Sequence, residues 1–252
     1  MLQLVAWSAL IIFFYMTIIF LLAQVLEDNS IVDMGWGIGF VFIAIFTLFV
    51  REINLRKIIF NLLILAWGMR LSLYILFRNS GRGEDFRYKN WRNSWKHFVL
   101  RSFFQIFMLQ GFIMLVVALP VIRVNAAAPR SIGFIDVIGL IIFLCGFGME
   151  VIGDRQLNQF KQLPENAGKL ITTGVWKYTR HPNYFGEAIL WWGIWLFAIP
   201  EIDGLFTVIG PLTITLLIRY ISGVPMLEAK YEGRADWEAY KSETPVFIPF
   251  MK

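Results

Sequence analysis

The sequence has little charge, two histidines and one cysteine. Only 16% of its 252 residues are Asp, Glu, Lys or Arg, whereas 58% are hydrophobic, and the mean hydropathy is +0.62. A lone Cys145 excludes an intramolecular disulfide, and His97 and His181 lie too far apart in the sequence to suggest a metal site. The first basic residue is Arg51, so we expect no cleavable signal peptide with a basic leading segment. These absences point to a polytopic membrane protein.

Apolar runs long enough to cross a bilayer recur along the chain. Because about 20 apolar residues span the hydrocarbon core, the sequence predicts an all-α protein with about seven transmembrane helices. No repeat, low-complexity run or separate soluble domain interrupts them, so we expect a single integral membrane domain over 1–252. The predicted spans cover residues 5–26, 31–50, 58–77, 103–122, 134–152, 184–199 and 205–222.

Loop charges predict the orientation. The loops 78–101 and 153–183 and the tail 223–252 hold 16 Lys and Arg residues, and the opposite side holds 5. The positive-inside rule therefore places the N-terminus outside and the C-terminus in the cytoplasm. Since the net charge of +5 is spread over membrane loops, it does not indicate a nucleic-acid partner.

The second predicted span begins with an acidic residue and closely spaced glycines, Val32-Asp33-Met34-Gly35-Trp36-Gly37. Asp33 is either a cap favoured by the helix dipole or a carboxylate that faces a cavity. Glycines at this spacing more often permit close helix packing than form a dinucleotide-binding turn.

The third predicted span carries Trp67, Arg70, Tyr74 and Arg78 at spacings that place them on one helix face. An arginine inside a span either extends to the interface or serves a function. The loop that follows is either a set of topology determinants or an anion-binding loop held by internal ion pairs. Its polar residues are Arg82, Glu84, Asp85, Arg87 and Tyr88.

The densest polar motif stands immediately before the sixth predicted span. Pro182 suits a helix start, and Asn183 and Glu187 lie four residues apart on one face. So many polar groups beside an apolar segment are costly unless they bind something. The motif comprises Tyr178, Thr179, Arg180, His181, Pro182, Asn183, Tyr184 and Glu187.

Two further groups extend this polar surface. Asp154, Asn158 and Lys161 share a face at the end of the fifth span, where a solvated helix end is the alternative. The tail adds Arg219 and Glu228 before an amphipathic return to the membrane surface. With no Gly-x-Ser-x-Gly nucleophile motif, we expect a cytoplasm-facing pocket for an anionic cofactor and an apolar substrate.

The C-terminal motifs resemble those of steroid 5α-reductases. Residues Gly146 to Gly193, with Asp154, Asn183 and Glu187, carry the resemblance, together with the ending Trp237 to Phe250. The Arg180-His181-Pro182-Asn183-Tyr184 run is shared with sterol C14-reductases and isoprenylcysteine-type methyltransferases. The N-terminal motifs look like those of a bacterial branch of the superfamily, which implies an integral protein of the bacterial inner membrane.

The resemblance implies a seven-helix reductase whose half from about residue 134 to 252 binds NADPH from the cytoplasm. The family pairs a glutamate with a tyrosine to polarise an enone carbonyl. Here Asp33 and Trp67 occupy the nearest positions. Because Trp67 has no acidic proton to give, Tyr74 or Tyr88 would supply the phenol. The implied substrate-binding residues are Trp36, Trp67 and Trp191. The implied cofactor-binding residues are Arg70, Arg78, Arg82, Asp154, Asn158, Lys161, Tyr178, Arg180, His181, Asn183, Tyr184, Glu187, Arg219 and Glu228.

The implied reaction is conjugate reduction of an enone lipid such as a 3-oxo-Δ4 steroid, with no metal. Two other functions remain open. One is an S-adenosylmethionine-dependent membrane methyltransferase, which would share the Arg180-His181-Pro182 run and Glu228. The other is a non-enzymatic lipid-binding protein, which the number of polar residues inside the spans disfavours.

Overall fold

The computed structural model describes residues 1–81 and 83–251, which contain helices and no β-strand. The all-α membrane class is thereby confirmed. The helices are α1 (Leu2–Val25), α2 (Ile31–Leu48), α3 (Leu55–Asn79), α4 (Phe86–Ser94), α5 (Phe98–Val117), α6 (Leu119–Ala126), α7 (Phe134–Gln162), α8 (Pro182–Leu196), α9 (Gly204–Glu228) and α10 (Ala235–Glu243).

Six helices in the described part of the chain are long and apolar enough to cross a membrane: α1, α2, α3, α5, α7 and α9. The remaining predicted span, 184–199, corresponds to α8, which has 15 residues. At 1.5 Å per residue α8 extends about 22 Å, less than the thickness of a bilayer core. The count of seven and the orientation of the termini therefore stay predictions.

The chain is grouped into two compact units. The first combines Met1–Gly133 with Phe197–Gly210, and the second combines Phe134–Leu196 with the chain from Pro211 onward. That the whole chain forms a single membrane domain stays a prediction.

In the first unit, α2 and α3 touch through their backbones. A Cβ atom added to Gly37 would strike the carbonyl of Gly68, and one added to Gly68 would strike the carbonyl of Gly37. Ser72, one turn beyond Gly68, accepts a hydrogen bond from the Ile38 N–H at 3.0 Å. Small residues thus allow the close helix packing that the glycine spacing predicts.

At the other end of α3, Lys57 is buried inside the first unit. Its Nζ donates to the carbonyls of Glu52, Asn125 and Ala127 at 3.2, 3.1 and 2.8 Å, and its side chain is 1% exposed. Asn61 and Asn125 hydrogen-bond to each other beside it. The sequence predicts that Lys57 is a charged loop residue, because it lies before the predicted start of the span at residue 58. In the structure α3 begins at Leu55, so Lys57 belongs to the helix and its side chain is buried.

In the second unit, α7 and α8 pack along glycines that repeat every seven residues. A Cβ on Gly186 would lie 2.5 Å from the Gly146 carbonyl oxygen, and one on Gly193 would lie 2.7 Å from that of Gly139. Because the glycines of each helix share one face, the two backbones stay in contact over several turns. This contact holds the first turn of α8 against the C-terminal half of α7.

Candidate functional site

The short helix α4 places two polar side chains at the start of α2. Asp85 caps α4, because its carboxylate accepts from the Arg87 N–H at 3.0 Å and from the Arg87 Nε at 2.9 Å. Aspartate is a favoured N-cap residue. The cap fixes the first turn of α4, which carries Arg87 and Tyr88 side by side.

Both of these side chains bind Asp33. The Tyr88 hydroxyl donates to Asp33 Oδ1 at 2.6 Å, and Arg87 Nη2 donates to Asp33 Oδ2 at 2.7 Å. Asp33 lies in the first turn of α2, where the helix dipole favours its negative charge. Its carboxylate binds two side chains of α4, so the charge of the helix end is not its only favourable interaction.

Tyr88 is buried, with 2% of its surface exposed. Burial is the main cause that raises the pKa of its phenol, and the negative charge of Asp33 raises it further. Arg87 and a hydrogen bond from the Gln110 side chain act in the opposite direction without reversing the shift. The phenol is therefore protonated at neutral pH and can act as a hydrogen-bond donor.

Acidic residues of the loop before α4 form ion pairs with arginines of α4. Glu84 binds the Arg92 guanidinium through two hydrogen bonds of 2.9 and 2.8 Å and accepts the Asn29 N–H at 2.9 Å. Burial alone would raise the pKa of Glu84, but the hydrogen bonds from Arg92 and Asn29 outweigh it and hold the pKa below its usual range. Anion binding by this loop stays a prediction, and Arg82 lies outside the described residues.

The third-span residues form two groups in the first unit. The guanidinium carbons of Arg70 and Arg78 lie 5.2 and 5.8 Å from the centre of the Tyr74 ring, within the range of cation–π attraction. Trp67 is fully buried, and Phe40 packs between it and Trp36 with ring centres 5.4 Å from each. Asp33 is thus brought together with Tyr88, whereas Tyr74 belongs to the arginine group.

In the second unit, Arg180 and His181 converge on one carboxylate. Arg180 Nε and His181 Nε2 each lie 2.9 Å from Glu228 Oε1, and all three side chains are largely buried. The Arg180 guanidinium also lies 5.5 Å from the Trp237 ring, and the ring of Tyr184 stacks on His181 at 5.8 Å. This cluster joins the start of α8 to the end of α9.

The same motif holds the C-terminal tail. Arg180 donates from Nη1 to the Thr244 carbonyl at 2.6 Å and from its backbone N–H to the Pro245 carbonyl at 2.9 Å. Thr179 donates to the Phe247 carbonyl at 2.8 Å, and Tyr178 packs against Phe250. The sequence predicts that the tail returns to the membrane surface, but it gives no signal that these carbonyls would meet the Thr179-Arg180 pair.

The pKa of His181 predicts that the stability of this cluster depends on pH. Burial lowers its pKa below the ordinary value, although the hydrogen bond to Glu228 opposes the shift and the charges of Arg180 and Arg219 add to it. Below about pH 6.5 the unfolded chain therefore binds a proton that the folded chain resists.

We therefore expect the melting temperature to fall as the pH is lowered through about 6.5. His181→Gln, which keeps a side-chain N–H near Glu228, should show a weaker dependence. Thermal unfolding of both proteins across this range would check the prediction, and identical profiles would contradict it.

The other predicted residues of the second unit lie on the C-terminal half of α7, on α8 and at the end of α9. Asn183 Nδ2 donates to Asp154 Oδ1 at 2.9 Å, which joins the first turn of α8 to α7. Glu187 is half-buried one turn further along α8, and Trp191 is fully buried one turn beyond that. Asn158 and Lys161 of α7 are exposed, as is Tyr178 in the loop before α8, and Arg219 of α9 is half-buried.

Comparison with known proteins decides the family. Residues 19–244 match the family described as "Protein of unknown function (DUF1295)", which is the steroid 5α-reductase-like family. The chain belongs to the steroid 5α-reductase-like family. The resemblance drawn from the sequence motifs is thereby confirmed.

Two relatives are similar to this chain, and the second supports the assignment. Uncharacterized protein C594.04c of Schizosaccharomyces pombe is 27% identical over 166 residues, which cover 56% of this chain and 48% of that protein. Steroid 5-alpha-reductase DET2 of Arabidopsis thaliana is 40% identical over 58 residues, 23% of this chain and 22% of that protein. The chain therefore spans about half of the first relative and less of the second. No solved structure matches.

Within this steroid 5α-reductase-like chain, the two groups of polar residues have different chemistry. The first unit offers a protonated phenol hydrogen-bonded to a carboxylate, whereas the second offers an amide, carboxylates and several basic side chains. Among the described residues, no three His, Cys, Asp or Glu side chains are arranged to hold a metal. The individual site roles stay predictions.

Proposed function

We propose that this protein is an NADPH-dependent membrane reductase that reduces the C=C bond of an enone lipid, with 3-oxo-Δ4 steroids as the first substrate class to test. Family membership suggests a membrane reductase. The observation that carries the finer proposal is the 2.6 Å hydrogen bond between Tyr88 and Asp33. It pairs a phenol with a carboxylate, as the family resemblance implies for the group that polarises the carbonyl.

Tyr88 would act on the carbonyl oxygen of the substrate. During conjugate reduction negative charge develops on that oxygen, and a positioned donor lowers the barrier. The Tyr88 hydroxyl would turn from Asp33 to the carbonyl oxygen as this charge grows. Arg87, at 2.7 Å from Asp33, would compensate the carboxylate once it loses the hydrogen bond from the phenol.

The residues of the second unit fit a nicotinamide cofactor chemically. With Nδ2 committed to Asp154, Asn183 can still offer its carbonyl oxygen to a carboxamide N–H, and Glu187 adds an acceptor on the same helix face. Lys161 and Arg219 are basic groups suited to phosphates. When bound, NADPH supplies a hydride to the substrate.

The contacts of Arg180 support a role other than cofactor binding. Its guanidinium already binds Glu228 and the Thr244 carbonyl. We therefore propose that Arg180, His181 and Glu228 position the tail and the start of α8, rather than bind phosphate directly.

The cofactor proposal predicts a shift in thermal stability. A ligand that binds only the folded state raises the melting temperature, by an amount equivalent to about 2.7 kcal/mol at 100 times its dissociation constant. We expect this shift with NADPH and none with S-adenosylmethionine. Glu187→Gln should weaken the NADPH effect. A shift with S-adenosylmethionine alone would support the methyltransferase alternative instead.

The reaction itself is tested by following NADPH consumption by the purified protein with progesterone and with simpler enone lipids. Saturated product must appear in step with oxidised cofactor. If NADPH binds but no enone is turned over, the protein binds a nicotinamide cofactor and the proposed substrate class is rejected.

The proposed cytoplasmic location of the cofactor site has its own test. The excess of basic residues in three loops predicts a cytoplasmic C-terminus. A reporter fused after the last residue should be active only in the form that reads the cytoplasm. Activity of a periplasmic reporter at that position would place the second unit's loops away from cellular NADPH.

A further inference from the structure

A basic segment with no carboxylate runs through α4 and into the start of the span α5. The chain from Phe86 to Arg101 contains five Lys and Arg residues and no Asp or Glu. Acidic residues outside the segment act on three of them: Arg87 pairs with Asp33, Arg92 pairs with Glu84, and Glu84 also attracts Lys89. The remaining basic residues are Lys96 and Arg101.

Aromatic rings lie at the corner between the two helices, and one of them contacts Arg101. Trp91 and Trp95 stack with ring centres 5.2 Å apart, and the Arg101 guanidinium lies 4.5 Å from the Trp95 ring. His97 adopts the left-handed backbone conformation, with φ of 56°, which turns the chain from α4 into α5. Tryptophan beside basic residues at the end of a span is typical of the level of lipid headgroups.

An apolar groove of about 450 Å³ lies at the same corner. Its walls are formed by the start of α5 and by one aromatic residue of α1. Val99 and Leu100 are 57% and 62% exposed, so the groove is open to the surroundings. The lining residues are Phe20, His97, Phe98, Val99, Leu100 and Phe103.

We propose that this corner is a binding site for an anionic phospholipid, which residues other than Asp33 and Tyr88 would hold. One acyl chain would occupy the groove, and the phosphate would be held by Lys96 and Arg101. Charge complementarity selects this occupant, because a basic cluster beside a span attracts anionic headgroups while the adjoining groove is apolar. Each basic side chain near an anionic lipid surface contributes about fivefold in affinity.

The experiment uses the full-length protein in a neutral detergent, with phosphatidylglycerol as the probe and phosphatidylcholine of the same acyl chains as the reference. Native mass spectrometry counts bound lipid, and thermal unfolding measures its effect. We expect the wild-type protein to retain phosphatidylglycerol preferentially. The double variant Lys96→Gln/Arg101→Gln should bind it about 30-fold more weakly. Val99→Trp should also weaken phosphatidylglycerol binding, because it blocks the groove without changing the charge.

A matched charge control is Arg51→Gln, an exposed basic residue of the same unit that lies in another loop. It should leave phosphatidylglycerol binding unchanged. Equal retention of the two lipids by the wild-type protein would overturn the proposal, as would an equal loss in Arg51→Gln. The same stabilisation by free glycerol phosphate would also overturn it, because the groove would then have no role.

Discussion

Tyr88→Phe is expected to lower the turnover of an enone substrate by about 100-fold or more while NADPH still binds. Loss of a positioned acid typically costs this much, and the substitution removes only the hydroxyl that lies 2.6 Å from Asp33. An interaction made in the transition state affects kcat and kcat/KM together. Steady-state kinetics, with NADPH binding measured separately by thermal shift, would check the result.

The matched control is Tyr74→Phe, the same chemical change in the same unit. The aromatic ring at position 74, which attracts Arg70 and Arg78, is kept in this variant. We therefore expect turnover to change little. Asp33→Asn should resemble Tyr88→Phe in turnover and keep NADPH binding. Normal turnover of Tyr88→Phe, or loss confined to Tyr74→Phe, would show that the wrong tyrosine has been chosen.

Folding must be measured alongside, because Tyr88 is buried. Removing its hydroxyl leaves Asp33 with one donor fewer and costs about 1–3 kcal/mol of stability. A protein that is merely destabilised would recover turnover at lower temperature. A missing proton donor would not be rescued in this way.

The second large effect is expected from Gly146→Ala in α7. A Cβ at this position would lie 2.6 Å from the Leu190 backbone nitrogen and 2.7 Å from the Gly186 carbonyl oxygen. No side-chain rotation relieves a clash with backbone, so α7 and α8 must move apart and lose contact along the glycine repeat. We expect a cost at or above the usual range for overpacking, about 1–3 kcal/mol, seen as a lower melting temperature.

The same helix provides the control, two residues away. A Cβ on Gly148 would meet nothing within 4 Å, and alanine favours a helix over glycine by about 0.5–1 kcal/mol. Gly148→Ala should therefore melt at the same temperature or higher. If the two variants are destabilised equally, the backbone contact at Gly146 does not carry the packing of these helices.

Much of the fold could be predicted from the sequence, because apolar length sets where spans occur. The six long helices coincide with predicted spans, with ends that differ by up to ten residues at the end of α7, and the glycine spacing of α2 correctly indicates close packing. The region 184–199 shows the limit of this reasoning. Its composition suits a span, but composition does not determine that α8 ends at Leu196.

The candidate site was predictable only in part. The sequence identifies Asp33 and offers two tyrosines, but the choice depends on where α4 lies, and helix spacing gives no information about a contact 55 residues away along the chain. Gln110 could not be found, because a single amide inside an apolar span has no pattern around it. The contacts between Arg180 and the tail could not be predicted for another reason. Their acceptors are backbone carbonyls, which every residue possesses.

The buried amine of Lys57 has a consequence for chemical labelling. With its nitrogen held by three carbonyls and 1% of the residue exposed, Lys57 should resist acylating reagents that modify exposed lysines such as Lys169 and Lys177. Its modification would require the loop before α3 and the end of α6 to separate. The extent of labelling at this one position would therefore report how often that end of the first unit opens.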